Sequence, residues 1–109
     1  INKITAEVRS FTAKNNSKPK VACLGLAFKP NIDDLRESPA LHIVEDLIKR
    51  GVDVLAVEPY AKEFEQFDLY DTQDALAQAD IVVLLVKHNS FETLKFKKPV
   101  LDFCGVLVK

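Results

Sequence analysis

An α/β fold, a three-layer sandwich around a mostly parallel sheet, is what this sequence predicts, and three observations carry the prediction. Short apolar runs without polar alternation recur at residues 21–26, 52–57 and 81–86, with a fourth at 100–103, the pattern of strands covered on both faces. Helical patterns separate the first three runs, giving the order strand, helix, strand, helix, strand, strand expected of right-handed crossovers. A chain of 109 residues, 48% apolar and 28% charged, has the composition of one domain able to bury its own core.

The elements follow in order. Ile1, Ile4, Val8 and Phe11 recur at spacings of three and four, one face of an amphipathic helix. The polar, turn-rich run AKNNSKP at 13–19 ends it. Residues 1–17 are therefore expected to be the end of an interdomain helix and a linker, belonging with whatever precedes them, and 18–109 the globular domain. The lack of a starting Met points to a chain trimmed from a longer one.

The helix between the first two strands carries full punctuation: Ser38 as N-cap, Pro39 at the first helical position, Gly51 just past Lys49 and Arg50. Its apolar face reads Leu41, Val44, Leu47 and Ile48, with Ile43 adjoining. A further helix is expected over 72–79, capped by Asp71 or Thr72, with Leu76 packing down.

Charge and cysteine usage narrow the function. Fifteen basic against sixteen acidic groups leave a net charge of −1, so the footprint of a nucleic-acid or anionic-membrane binder is missing and any anion must be held locally. Cys23 and Cys104 lie far apart with no CxxC spacing, which argues against a zinc site or a disulfide scaffold and fits a reducing cytoplasm. No apolar run approaches the roughly 18 residues of a membrane span, and no signal-peptide pattern opens the chain.

The informative stretch is GLAFKPNIDDLRESP at 25–39, between the end of the first strand and the start of the best-capped helix, where open α/β sheets bind ligands. A phosphate-reading loop here usually carries several glycines; this one has only Gly25, two prolines, Lys29 and Arg36. Such a loop holds an anion by side-chain charge, Lys29 as a point charge and Arg36 as a planar fork. On the residues alone, both are read more readily as solvated charges, with Arg36 pairing to Asp33, Asp34 or Glu37. Asn31, Asp33 and Asp34 lack the spacing and closing glutamate of a calcium loop, so no metal is assigned. With no GxGxxG after the first strand, and Glu58 too far beyond Gly25 for a ribose-binding acid, the chain is not a dinucleotide enzyme by itself. Cys23 reads as a small core residue, and His88 as a structural or solvated histidine or one facing the cleft.

The run GLAFKPNIDDLRESPAL, followed by VEPYA at 57–61, ADIVVLLVKHNSF at 79–91 and VLDFCGV at 100–106, resembles the UDP-binding domain of the UDP-glucose/GDP-mannose dehydrogenase family over essentially the whole chain. The complete GLAFKP and DDLRESP, with glutamate in VEP, look most like the UDP-N-acetylmannosamine dehydrogenases of bacterial surface-polysaccharide pathways. The resemblance implies a Rossmann-like domain from an NAD-dependent enzyme that oxidises a sugar 6-hydroxyl to a carboxylate in two hydride transfers, through a thiohemiacetal on a cysteine outside this chain. No catalytic residue is therefore assigned here. It further implies that Phe28 and Lys29 hold the nucleotide half of a UDP-sugar, and that Arg36 reaches toward NAD bound mainly by the N-terminal domain. The implied partners are the N-terminal and central domains of the same enzyme and a second copy, in a homodimer or higher oligomer. The family usually places a lysine or arginine where Cys104 stands, and often an acid or small polar residue where Lys87 stands; Lys87 is given no role. A UDP-glucose 6-dehydrogenase domain and a free-standing Rossmann-type regulatory domain are the competing readings.

Overall fold

A computed structural model of the chain describes residues 2–27, 38–61, 64, 67–91, 94, 96 and 98–104. Among them, α1 (Asn2–Asn15), β1 (Lys20–Leu24), α2 (Pro39–Lys49), β2 (Asp53–Val57), α3 (Thr72–Gln78), β3 (Ile81–Leu84) and β4 (Val100–Asp102) follow in that order, with a short 3₁₀ turn at Asn89–Phe91. The four strands form one all-parallel sheet in the order β2-β1-β3-β4. Each strand is one or two residues shorter than its apolar run; after β1 and β3 the last apolar residues of the runs, Leu26 and Val86, remain buried although the ladder has ended.

Every second strand residue serves the same face. Val21, Cys23, Ala56, Ile81 and Val83 pack with Leu41, Val44 and Leu47 of α2 and with Ile4 of α1. Ala22, Leu24, Leu55, Val57, Val82 and Leu84 pack on the opposite side with Ala75 and Ala79 from α3 and its end, and with Phe91. The helices thus cover both faces, as an unalternating apolar sequence requires.

The punctuation of α2 is realised in full. Ser38 Oγ accepts from Leu41 N at 3.4 Å and Pro39 opens the helix. At the other end Gly51, at φ +82°, donates to Ile48 O while Val52 donates to Leu47 O, the paired bonds of a Schellman stop. The buried face is Ala40, Leu41, Val44 and Leu47. Ile48, expected in that face, is 42% exposed: the stripe is set by the 40, 44, 47 spacing, which turns Ile48 toward solvent. In α3 the cap is Asp71, accepting from Gln73 N at 3.2 Å, and Ala75 is the residue fully buried, with Leu76 half-buried. Lys98 Nζ reaches the carbonyls of Leu76 and Ala77 at 3.0 and 3.3 Å, placing a cation at the negative end of that helix. Helix α1 runs four residues beyond Phe11 and stops where Asn16 turns to φ +53°. Ile4 is completely buried in the shared core.

Candidate functional site

The register puts Leu24, Val57, Leu84 and Asp102 level with one another at the C-terminal edge of the sheet. From β1 the chain goes out through α2 to β2 on one side, then returns through α3 to β3 on the other. The crevice above β1 and β3 is therefore the point where the connections reverse, the usual ligand site of open α/β sheets. Gly25 turns the chain there at φ +95°, and its N–H donates to Val57 O at 2.8 Å. A Cβ at this position would lie 2.7 Å from Val86 Cβ, 2.9 Å from Val86 N and 3.0 Å from Val86 O. Glycine is required on both counts: the backbone conformation and the close approach of the β3 extension.

Immediately after β2, Glu58 is 2% exposed and its carboxylate collects four donors. Oε1 accepts from Leu26 N at 2.9 Å, Ala27 N at 2.9 Å and His88 Nε2 at 2.8 Å, and Oε2 accepts from Tyr60 N at 3.0 Å. His88 is completely buried, its ring 4.7 Å from that of Tyr60 and 5.3 Å from that of Phe91. Burial pushes the Glu58 carboxyl upward, but the hydrogen bond from His88 and the backbone bonds from Tyr60 and Leu26 outweigh it and hold the group below the ordinary glutamate range. Among the described residues no buried side-chain nitrogen or oxygen lacks a partner.

Phe28, Lys29 and Arg36, the residues expected to carry binding, lie outside the described residues. What is placed is their frame. Ala27 and Ser38, which bracket residues 28–37, are bonded to each other, Ser38 Oγ donating to Ala27 O at 3.2 Å. The two residues that flank that segment are thus joined to each other at the C-terminal edge. A cleft of about 330 Å³ bordered by Glu58, Pro59, Tyr70, Asp71 and Thr72 opens on the same edge, beyond β2.

The remaining expectations sort by burial. Cys23 is a core residue whose thiol burial pushes up to about 12. Cys104 is half-buried, and both its N–H and its thiol donate to Asp102 Oδ1, at 3.1 and 3.6 Å. Lys87 is exposed, whereas His88 is fully inside, the structural histidine rather than one facing the cleft. Glu58 was weighed in the sequence only as a ribose acid. It stands directly after β2, and its carboxylate points inward and is consumed by four donors. Among the described residues, that carboxylate is therefore not turned outward to take a ribose hydroxyl. The signal that could have exposed the pair was positional: one acid and one imidazole, each just past the end of a strand flanking β1.

Residues 22–107 match the family described as the UDP-glucose/GDP-mannose dehydrogenase family, UDP binding domain. The chain is 47% identical over 87 residues, 75% of its length, to an NDP-N-acetyl-D-galactosaminuronic acid dehydrogenase of Ralstonia solanacearum, of which it covers 21%. It is 46% identical over 94 residues, 79% of its length, to a UDP-N-acetyl-D-mannosamine dehydrogenase of Campylobacter jejuni, of which it covers 23%. The fold is similar to that of a UDP-N-acetyl-mannosamine dehydrogenase from S. aureus, with a TM-score of 0.75 at 29% identity over 98% of this chain and 27% of that one. The chain therefore spans under a quarter of the curated relatives it matches, and on the match of 22–107 and these identities it belongs to the UDP-glucose/GDP-mannose dehydrogenase family, as a UDP-binding domain of Rossmann-like fold.

Proposed function

We propose that this chain is the nucleotide-sugar-binding domain of an NAD-dependent UDP-sugar 6-dehydrogenase, acting on UDP-N-acetylmannosamine in bacterial surface-polysaccharide synthesis in the cytoplasm. Residues 18–109 are the binding domain, and 1–17 the tail of a helix from the domains before it. Phe28 and Lys29 hold the uridine nucleotide; Arg36 faces the cofactor held by the N-terminal domain. The whole enzyme works as a homodimer or a higher oligomer.

One observation carries the reading. The bond between Ser38 and Ala27 joins the residues that flank 28–37, at the edge where the sheet's connections reverse. The sequence between them holds a lysine and an arginine, the charges that such an edge would need for an anionic ligand. With a chain net charge of −1 there is no general attraction for anions, so recognition of a diphosphate falls to such local charges. The oxidation itself is supplied from outside these residues: Cys23 is buried mid-strand with its thiol pushed up to about 12, the opposite of a reactive thiolate.

The test is a calorimetric titration of the 109-residue chain with UDP, UDP-N-acetylmannosamine, UDP-N-acetylgalactosamine and UDP-glucose, beside an assay for NADH. Binding of UDP without NADH production is expected. NADH formation by the chain alone refutes the assignment of chemistry elsewhere, and failure to bind any UDP compound refutes the binding role.

A further inference from the structure

Four N–H groups, three of them buried, converge on the Glu58 carboxylate, from the two chain segments that follow β1 and β2 and from an imidazole that follows β3. Stability alone does not account for this choice, since a buried polar pair replaced by well-packed apolar side chains often costs nothing. The donors themselves give a better account. Leu26 and Ala27 have left the sheet ladder, so their amides would be orphaned inside the protein without an acceptor at that point. Ala27 is then held from both sides, its N–H by Glu58 and its carbonyl by Ser38. Residue 28 is the next in the chain.

We propose that Glu58 and His88 are positioning residues for nucleotide binding: Glu58 fixes the Leu26–Ala27 backbone, which Phe28 and Lys29 follow in the sequence, while His88 fixes Glu58. The inference rests on the reading of Phe28 and Lys29 as nucleotide contacts. His88 is suited to its part because Tyr60 and Phe91 flank its ring, leaving Nε2 aimed at Oε1 at 2.8 Å. The carboxylate is equally specific. A glutamine has one accepting oxygen and one donating nitrogen, so either orientation turns an NH₂ group toward backbone N–H donors, at Tyr60 or at Leu26 and Ala27.

The experiment uses the 109-residue chain with UDP as the probe, at a temperature well below the melting point of every variant. Calorimetry gives the affinity, and ¹⁵N-resolved hydrogen exchange reports the amides of Leu26 and Ala27. Glu58→Gln should weaken UDP binding about tenfold and speed exchange at both amides, the size expected when hydrogen bonds to a charged group are lost. His88→Leu should do the same, whereas His88→Gln, which can still donate to Glu58, should stay within about threefold of wild type. A purely structural pair would lower the melting temperature and leave the affinity alone. Wild-type affinity in Glu58→Gln overturns the proposal, and should that variant not fold, equal affinities in His88→Leu and His88→Gln overturn it. Absence of UDP binding by the wild-type chain brings down the nucleotide reading itself, and this inference with it, an outcome distinct from binding that the variants do not disturb.

Discussion

Replacing Gly25 with alanine tests the close approach on which the ligand edge is built. Two costs are expected. Holding an L-residue at φ +95° costs about 1–2 kcal/mol, and forcing a methyl group against Val86 at 2.7–3.0 Å adds an overpacking cost of about 1–3 kcal/mol. Two of the three opposing atoms are backbone, so the neighbour cannot simply rotate away. Gly51 supplies the control: it also has positive φ, at +82°, but an added Cβ meets nothing within 4 Å. Gly51→Ala should therefore show the conformational cost alone, about 1–2 kcal/mol. Gly25→Ala should lose roughly 2–5 kcal/mol in total, a large share of the ~5–15 kcal/mol typical of a domain. In melting temperature that is roughly 10–30 °C for a chain of this size. Urea unfolding followed by far-UV circular dichroism measures both variants, and an unchanged m-value keeps the comparison valid. Trimming Val86 to alanine in the Gly25→Ala background should recover nothing, because the same Cβ remains. Equal urea midpoints for Gly25→Ala and Gly51→Ala would refute the steric argument and, with it, the tight junction between the ends of β1 and β3.

Three further outcomes are expected. Lys29→Ala should weaken UDP binding by roughly ten- to a hundredfold with an unchanged melting temperature, the loss of a hydrogen bond to a charged group; calorimetric titration decides it, and wild-type affinity would remove Lys29 from the site. Glu58 has its carboxyl held below the ordinary glutamate range, so its stabilising contribution is present above the unfolded-chain value near ~4.3 and is lost as pH falls through the lower folded value. Melting curves between pH 7 and pH 3 should therefore fall less steeply in Glu58→Gln than in wild type, starting from a lower value at pH 7; parallel curves would refute it. The two thiols should label unequally with a water-soluble reagent at pH 8: Cys104, half-buried, reacts in the native chain, while Cys23 reacts only after unfolding, since burial both shields it and pushes its thiol up to about 12. Two fast thiols in the folded protein would show that the core is open at β1.

Much of the fold is local in its causes, and those parts were legible. Ser38, Pro39 and Gly51 each act within a turn of their own position, so the ends of α2 can be read from residue type alone. Unalternating strands announce a sheet covered twice, because each face must find apolar cover. Where the sequence misleads, a neighbour decides: Ile48 fits a helical stripe by spacing, yet the stripe that meets the sheet runs through Ala40, Val44 and Leu47. The site divides in the same way. Lys29 and Arg36 stand out in a loop poor in glycine because charge and position are properties of the sequence. Glu58 and His88 are 30 residues apart, and no periodicity joins them. Only the strand order β2-β1-β3 brings their two strand ends to either side of β1, where the amides of Leu26 and Ala27 need an acceptor. A glutamate after one strand and a histidine after another become a pair through topology, and topology is what a scan for spaced motifs does not contain. The same reasoning bears on Cys104: its thiol and its amide both turn back onto Asp102. At the end of β4 the aspartate is thus met by the amide and thiol of Cys104, the residue that stands where the family usually places a cation.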